Sequence, residues 1–190
     1  MFSASPIVLT TERLLLRELT PAIFNQLFLK KTKQEIMAYL SLQTDEQFEE
    51  MEERYTKGIT TYYHNYKGFH LLDRSTKKVI GHCDYHTWIP SHCRAEIGYA
   101  ITDSKYKNKR LMTEALESIL TFGFRQMDLY RVEALVADYN TPSLQLVRHF
   151  GFKREGLLRN HYQVNGQLED SIMFSLLKPE FEEWQAKQQP

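Results

Sequence analysis

Apolar and polar residues follow one another along the first half of the chain in patterns typical of both strands and helices. Arg13 to Glu18, RLLLRE, is an apolar stretch that predicts a strand. It ends before Thr20-Pro21, where a Thr N-cap and a Pro in the first turn predict a helix. Thr44 to Tyr55 carries apolar residues at helical spacing. Two strands, Phe69 to Leu72 and Val79 to Trp88, flank a polar turn.

The second half of the chain continues this mixture. Apolar residues alternate with Glu, Gly and Ala along RAEIGYAIT, Arg94 to Thr102, which indicates a strand. We predict a helix from about Thr113 to Phe124, a strand over Arg131 to Ala137, and a helix that begins at Thr141-Pro142-Ser143 and ends at Gly151. Leu157 to Val164 and Gln167 to Leu177 flank Asn165-Gly166, a strong hairpin signal. The pattern predicts an α/β (α+β) fold with a mixed sheet and helices on its faces.

Composition narrows the class of protein. The 190 residues are 42% hydrophobic and 13% aromatic, enough for a buried core, and no linker divides them, so we expect one domain over residues 1–190. Lys+Arg and Asp+Glu are both 24, so no charge excess indicates nucleic acid or an anionic membrane as a partner. No apolar run reaches the ~18 residues that span a bilayer, and the N-terminus lacks a signal pattern. We expect a cytoplasmic protein with Cys83 and Cys93 reduced.

A short basic loop precedes the third predicted helix. Lys105, Lys107, Lys109 and Arg110 surround the place where that helix begins. A helix N-terminus offers unpaired N–H groups and the positive end of the helix dipole, and both attract phosphate. The alternative is a solvated basic loop that is capped by a polar side chain, and the loop alone does not decide between them.

Four strings of the sequence resemble the GNAT acetyltransferase superfamily, and within it the RimJ/RimL-like branch that acetylates ribosomal-protein N-termini. In chain order they are TERLLLREL (11–19), AEIGYAI (95–101), LMTEAL (111–116) and NTPSLQLVRHFGFKREG (140–156). The resemblance covers nearly the whole chain. It implies a mixed central sheet of about seven strands with helices on both faces. It also implies a splayed strand pair that holds the pantetheine arm of acetyl-CoA, and a loop that holds the pyrophosphate.

The resemblance assigns the cofactor contacts residue by residue. The pyrophosphate loop, Q/R-x-x-G-x-G/A in the family, falls on residues 107–112, and Arg110 stands where Gly is usual. Gly is favoured there because the backbone approaches phosphate closely and sometimes needs positive φ. Either the Arg110 guanidinium adds a bond to phosphate, or the loop is remodelled and binds CoA poorly. The residues that the resemblance places against acetyl-CoA are Tyr99, Ile101, Lys107, Asn108, Lys109, Arg110, Leu111, Met112, Thr113, Asn140 and Ser143.

Acetyl transfer to an amine needs a base, a donor to the carbonyl oxygen and a donor to the departing sulfur. Glu96, the acid within RAEIGYAIT, is the candidate base, and the alternative is an ordinary ion pair. The resemblance implies an oxyanion donor from the backbone N–H groups of residues 97–99. It also implies that Ser143 hydrogen-bonds the sulfur, although Ser is common in a first helical turn. Asn140 would bond the pantetheine arm or simply cap the helix.

Two further positions depart from the family pattern. Val147 stands where many members have a Tyr, which leaves Ser143 without an obvious rival on that helix. Tyr162 stands where some close relatives carry a Glu base, so Glu96, His161 or a water chain must take that duty.

Metal binding is not expected from the histidines. His82 and His86 have i, i+4 spacing, but on a strand this puts them ~13 Å apart, and they lack the tight Cys/His clustering of zinc sites. We therefore predict no metal.

The sequence predicts an enzyme that transfers acetyl from acetyl-CoA to a primary amine by direct attack in a ternary complex. The alternative is a non-catalytic acyl-CoA-binding or interaction protein on the same fold, because Arg110, Val147 and Tyr162 depart from the family pattern. The acceptor, a protein N-terminus or a small-molecule amine, is not fixed by the sequence. The oligomeric state is open, with a homodimer as one option.

Overall fold

The computed structural model describes residues 6–58 and 65–188, which contain eight strands and six α-helices. The strands are β1 (Val8–Thr10), β2 (Leu14–Leu19), β3 (Asn65–Asp73), β4 (Val79–Ile89), β5 (Arg94–Ile101), β6 (Arg131–Val136), β7 (Lys153–Val164) and β8 (Gln167–Leu177). The helices are α1 (Pro21–Lys30), α2 (Lys33–Leu40), α3 (Asp45–Lys57), α4 (Leu111–Gln126), α5 (Thr141–His149) and α6 (Lys178–Gln188).

The strands form a mixed sheet in the order β1-β2-β3-β4-β5-β6-β8-β7. β5 and β6 pair in parallel, whereas β1 with β2, β2 with β3, β6 with β8 and β7 with β8 pair antiparallel. The expected α/β class with a mixed sheet is confirmed. The additional strand relative to the expected seven is accounted for by β1, which has only three residues and was not predicted.

The chain divides into two compact units. Unit 1 comprises residues 1–87 and 99–118. Its helices α1, α2 and α3 pack around an apolar cluster of buried residues, which are Leu19, Phe24, Leu27, Ile36, Leu40 and Phe48. The rings of Phe28 and Tyr55 stack at the edge of this cluster with their centroids 4.4 Å apart. Burial of large side chains of this kind contributes roughly 1.5–3 kcal/mol each.

Unit 2 comprises residues 88–98 and 119–190, and aromatic rings dominate the packing of its last helix. Phe181 of α6 lies 5.2 Å from Phe124 and 5.7 Å from Trp184, centroid to centroid. The Trp184 indole Nε1–H donates to the His149 carbonyl at 2.7 Å, so the ring is fixed by a hydrogen bond as well as by packing. The α6 helix was not predicted from the sequence.

Local signals in the sequence explain several elements. Thr20 caps α1 by accepting a hydrogen bond from the Ile23 N–H, as predicted. Asn165 and Gly166 have φ of 50° and 80°, the left-handed pair that a tight hairpin requires, and they join β7 to β8 as predicted. The α2 helix was missed although Thr32 and Glu35 form a capping box at its start.

Three predicted starts were wrong. β3 begins at Asn65 rather than Phe69. α4 begins at Leu111 rather than about Thr113. The Leu111 side chain is buried, and its burial stabilises a first turn that starts at this residue. β7 begins at Lys153 rather than Leu157. Its first residues are exposed, so they do not show the alternation of apolar and polar positions by which a strand is recognised in a sequence.

No helix of the described residues is long and apolar enough to span a bilayer. Both cysteines are free thiols, as expected. Cys83 is fully buried, and burial, with a further contribution from Asp84, raises the pKa of its thiol well above the ordinary value.

Candidate active site

The basic loop lies in unit 1, between β5 and α4. Its first part is a single 3₁₀ turn, Ser104–Tyr106, which Asp103 caps by accepting a hydrogen bond from the Lys105 N–H at 3.0 Å. Asp103 also accepts from Lys78 Nζ at 2.7 Å. The hydrogen bond and the ion pair lower the pKa of Asp103 below its usual range. The start of the loop is therefore tied to Lys78, the residue that precedes β4.

Arg110, which stands at the position where the resemblance expects Gly, has a left-handed backbone conformation. Its φ is 56°, and that of Asn108, two residues earlier, is 59°. A residue with a Cβ pays roughly 1–2 kcal/mol to occupy this left-handed region. The Arg110 carbonyl accepts the Glu114 N–H at 3.2 Å, so Arg110 is the residue that precedes the first turn of α4. Both residues therefore have a φ that glycine adopts without steric cost.

The loop residues that were expected to contact acetyl-CoA differ in what they can offer. Side chains 107–110 are exposed, and the Lys109 ammonium lies 5.7 Å from the centre of the Tyr106 ring. Leu111 is buried, so it can offer a ligand only its backbone N–H. Met112 and Thr113 are half-buried in the first turn of α4, where N–H groups lack intrahelical acceptors. The backbone of this turn is the part best suited to phosphate.

Glu96, the candidate base, lies on the part of β5 that belongs to unit 2, and it is half-buried. The Tyr162 hydroxyl of β7 donates a hydrogen bond to the Glu96 carboxylate. Burial, and then the Glu96 charge and this hydrogen bond, raise the pKa of Tyr162. Tyr162, the residue found where some relatives have a Glu base, is thus a direct partner of the candidate base. The sequence had marked both positions but not their contact.

Beside Glu96, the pairing of β5 with β6 is short. The parallel register runs from Arg94 with Arg131 to Glu96 with Glu133. β6 itself remains paired with β8 as far as Val136. Glu133 is held by Arg94 and Arg131, each at 2.8 Å, and forms a structural ion network. The short register is the feature expected of a splayed strand.

The remaining two strand residues expected at the cofactor, Tyr99 and Ile101, lie at the end of β5 that belongs to unit 1, and both are half-buried.

The N-terminus of α5 carries Asn140 and Ser143, both in unit 2. Asn140 Oδ1 accepts the Ser143 N–H at 3.3 Å, and the Asn140 carbonyl accepts the Leu144 N–H at 3.0 Å. Asn140 therefore performs the capping role that was its simpler interpretation. Asn140 is exposed and Ser143 is half-buried.

His161, the reserve candidate for the base, also lies in unit 2. Its Nδ1 is 3.3 Å from Ser171 Oγ, and its ring meets that of Tyr162 edge-on at 4.5 Å between centroids.

A polar cluster on unit 1 contains His82 and His86. His86 Nδ1 lies 3.1 Å from Asp84 Oδ2, and His82 Nε2 lies 4.0 Å from Asp84 Oδ1. Burial, the Arg17 charge and His82 lower the pKa of His70 to about 3, so His70 is neutral at physiological pH. Asp84, which the sequence analysis did not single out, joins two histidines of one strand. Within residues 6–58 and 65–188 no group of three His, Cys, Asp or Glu side chains could hold a metal ion.

Comparison with known proteins identifies the family. The family described as "Acetyltransferase (GNAT) domain" matches residues 13–153 of this chain. The uncharacterized N-acetyltransferase YoaA of Bacillus subtilis (strain 168) is 30% identical over 90% of this chain and 97% of its own length. The uncharacterized N-acetyltransferase p20 of Bacillus licheniformis is 38% identical over 60% of this chain, and the match spans 63% of p20.

Two further similar proteins have acceptors in their names. The [ribosomal protein uS5]-alanine N-acetyltransferase of Escherichia coli (strain K12) is 28% identical over 60% of this chain and 58% of its own length. A solved chimera of Vibrio cholerae spermidine N-acetyltransferase SpeG with hSSAT superposes with a TM-score of 0.67 at 25% identity, covering 90% of this chain and 99% of the chimera.

The chain therefore belongs to the GNAT acetyltransferase family. By family it is an acetyl-CoA-dependent N-acetyltransferase, and the relatives support the RimJ/RimL-like branch that the sequence indicated.

Proposed function

We propose that this protein, as one acetyltransferase domain over residues 1–190, transfers an acetyl group to the primary amine of a protein N-terminus or of a small molecule. The observation that carries the proposal is the left-handed backbone at Asn108 and Arg110 directly before α4. Because this conformation is unfavourable for residues with a Cβ, its presence in the place of a glycine loop supports a binding role.

The residues before α4 fit the pyrophosphate of acetyl-CoA. The backbone N–H groups of residues 109–113 lie just before or within the first turn of α4, at the positive end of the helix dipole, and the basic side chains add charge. Of the two alternatives for Arg110, this arrangement favours the one in which its exposed guanidinium bonds phosphate, because the left-handed backbone is retained. When bound, acetyl-CoA supplies the activated acetyl group.

The chemical steps belong to residues of this chain. Glu96 accepts the amine proton, directly or through a water, while Tyr162 holds the Glu96 carboxylate in place by its hydrogen bond. A backbone N–H among residues 97–99 donates to the carbonyl oxygen as that oxygen gains negative charge. The Ser143 hydroxyl donates to the sulfur as it leaves. Transfer is direct, in a ternary complex, and requires no covalent enzyme species.

The acceptor can be found by a screen that detects the free thiol of CoA. Peptides with Ala, Ser or Met at a free N-terminus, the same peptides with a blocked N-terminus, and spermidine cover the acceptors named for the relatives. We expect thiol release that depends on the free amine. Thermal stabilisation by CoA without turnover on any amine would instead support the non-catalytic alternative, and the absence of any stabilisation at millimolar CoA would contradict the proposal itself.

A further inference from the structure

Two side chains far apart in the sequence meet beside the loop in unit 1. Arg13 lies in the turn between β1 and β2, and Glu114 lies in the first turn of α4, 101 positions later. Arg13 Nε donates to Glu114 Oε2 at 2.7 Å, and the Arg13 backbone N–H donates to Oε1 at 2.7 Å. Thr11 Oγ1 donates to the same Oε1 at 2.5 Å. The carboxylate therefore joins the β1–β2 turn to the start of α4.

Glu114 stays ionised in this position. Burial raises the pKa of its carboxyl group, but the hydrogen bonds from Thr11 and Arg13 and the Arg13 charge together lower that pKa below its ordinary value. A negative charge in the first turn of a helix is also stabilised by the helix dipole. The contact is a charge-assisted pair at neutral pH.

The same guanidinium reaches the loop. Arg13 Nη1 donates to the Lys109 carbonyl at 3.0 Å. In a trans peptide the C=O and the following N–H point in opposite directions. Holding the Lys109 carbonyl toward Arg13 therefore turns the Arg110 N–H away from Arg13. The orientation of one loop donor is thus set by a residue outside the loop.

This contact falls where the loop needs support. The peptide that Arg13 holds is the one that precedes Arg110, whose φ of 56° is unfavourable for a residue with a Cβ. Such a conformation persists only when surrounding contacts impose it. The hydrogen bond from Arg13 Nη1 to the Lys109 carbonyl is a contact of this kind.

The turn that carries Arg13 is itself well fixed. Thr11 Oγ1 accepts the Leu14 N–H at 3.1 Å, and the Thr11 N–H donates to the Leu14 carbonyl at 3.0 Å. The Arg74 N–H donates to the Arg13 carbonyl at 2.9 Å. Hydrogen bonds therefore hold the turn from which the Arg13 side chain extends.

We propose that Arg13 and Glu114 are positioning residues that hold the pyrophosphate loop in its phosphate-binding shape. They act through the Lys109–Arg110 peptide and do not touch acetyl-CoA. The inference rests on the pyrophosphate assignment proposed above. It gives a shared role to two strings singled out in the sequence, since Arg13 belongs to TERLLLREL and Glu114 to LMTEAL.

A competing explanation is direct contact between Arg13 and the ligand. The Arg13 side chain is 46% exposed, and it borders an open cavity of about 610 Å³ with Arg74, Tyr106, Lys109 and Leu111. The two explanations predict different results when lysine replaces Arg13. Lysine keeps the charge at position 13, but its single ammonium cannot reproduce the planar fork that spans Glu114 and Lys109.

The experiment compares acetyl-CoA with S-acetyl-pantetheine, which has the same thioester but no pyrophosphate. In Arg13→Lys and in Glu114→Gln, we expect KM for acetyl-CoA to rise about tenfold, as for the loss of one charge-assisted hydrogen bond. The kcat should stay within about twofold, because the reacting groups are untouched. KM for S-acetyl-pantetheine should not change. Arg125→Lys is the matched control, since its guanidinium donates instead to Gln185 Oε1 within unit 2.

A second variant tests the mechanism of the effect. Glycine adopts the left-handed conformation without steric cost, so in an Arg110→Gly background the loop needs less support. We expect Arg13→Lys to raise KM for acetyl-CoA by less than about threefold there, which is a measurable coupling between the two positions. Thermal unfolding of each variant checks that it is folded.

Several results would overturn the inference. Equal losses with both thioesters would indicate general damage to the fold. Full affinity in Arg13→Lys together with weak binding in Arg13→Ala would indicate direct contact with phosphate. An undiminished effect in the Arg110→Gly background would separate Arg13 from the loop conformation. If the wild-type protein shows no turnover, the proposed function fails, and the comparison of variants is then made by thermal stabilisation with CoA and with pantetheine.

Discussion

The two units each contain a junction where a strand leads into a helix, and the two junctions treat the helix N-terminus differently. Before α5, Asn140 caps its own helix through its side-chain oxygen. Before α4, the equivalent residue is Arg110, whose guanidinium has donors and no acceptor. The α5 terminus is therefore satisfied from within, whereas Arg110 cannot cap α4 with its side chain.

The difference shows that the residue before a helix decides whether a side chain caps the N–H groups of its first turn. When the capping residue has no acceptor, the N–H groups of the first turn remain suited to a ligand, and the loop must be held in shape by other means. In unit 1 the contact of Arg13 with the Lys109 carbonyl provides this support. In unit 2 the closed α5 terminus leaves Ser143 and the Glu96–Tyr162 pair as candidates for chemistry. Changes in unit 1 should therefore alter cofactor affinity, and changes at those unit 2 groups should alter turnover.

The largest effect is expected at Glu96. Glu96→Gln keeps the shape of the side chain but removes the base, so kcat/KM should fall by about 10²–10⁴ at neutral pH. KM for acetyl-CoA should hardly change. The loss should shrink as pH rises, because more of the amine then arrives deprotonated. Steady-state kinetics from pH 6 to 10 measure this, with Glu49→Gln on exposed α3 as the control. Full activity across that range would move the base elsewhere, with His161 next to test.

A self-capping residue placed before α4 should remove the contrast between the junctions. Arg110→Asp introduces an acceptor for the first-turn N–H groups and a charge that repels pyrophosphate. We expect acetyl-CoA to bind about 30–100-fold more weakly, which corresponds to the loss of one or two charged hydrogen bonds. Titration calorimetry measures the affinity. Arg110→Gly is the control, since it removes the guanidinium without adding an acceptor or a negative charge, and it should weaken binding by no more than about tenfold, or about 1.5 kcal/mol. Wild-type affinity in the Asp variant would show that this terminus does not hold phosphate.

Loss of the Ser143 hydroxyl should affect turnover and not binding. In Ser143→Ala we expect kcat to fall about tenfold, because the hydroxyl is needed when sulfur develops charge. Rapid-quench or steady-state measurement of thiol release reports the effect. Thr141→Ala, in the same first turn, should remain near the wild-type rate. If Ser143→Ala raises KM for acetyl-CoA and leaves kcat unchanged, the hydroxyl contributes to binding instead.

The smallest effect is expected for the cap itself. Asn140→Ala removes the acceptor for the Ser143 N–H and should lower the free energy of unfolding by about 1 kcal/mol. In a chain of this size the Tm should fall by about 2–4 °C. Asn140→Ser keeps a capping oxygen and should recover most of the loss. A rise in KM for acetyl-CoA in both variants would add the family role of this amide, a bond to the pantetheine arm, to its role as a cap.

The parts of the fold that follow from local sequence were predictable. Thr20-Pro21 and Asn165-Gly166 each impose a backbone conformation through their own chemistry, and the structure confirms both. The α2 helix carried a readable capping box at Thr32 and Glu35, but a polar stretch beside it masked the helical pattern. The strand β1 has three residues and little burial, so no periodic pattern could reveal it.

The candidate site was predictable as a set of positions and not as a set of contacts. The family strings indicated the loop, Glu96, Asn140 and Ser143, whose catalytic and binding roles remain predictions. The pair of Arg13 and Glu114 is separated by 101 positions, so no local rule connects them. The left-handed φ of Arg110 also could not be deduced, because arginine carries no preference for it and only surrounding contacts impose it.

Chemical labelling of the buried Cys83 thiol can report local opening of this protein. Cys83 on β4 has no exposed surface, and burial keeps its thiol protonated at neutral pH. Thiol reagents are electrophiles that an exposed thiolate attacks, so they label Cys83 only in molecules whose unit 1 core has transiently opened. In a Cys93→Ser variant, the rate at which such a reagent labels the native protein would therefore time the opening of the sheet around β4, without any added probe.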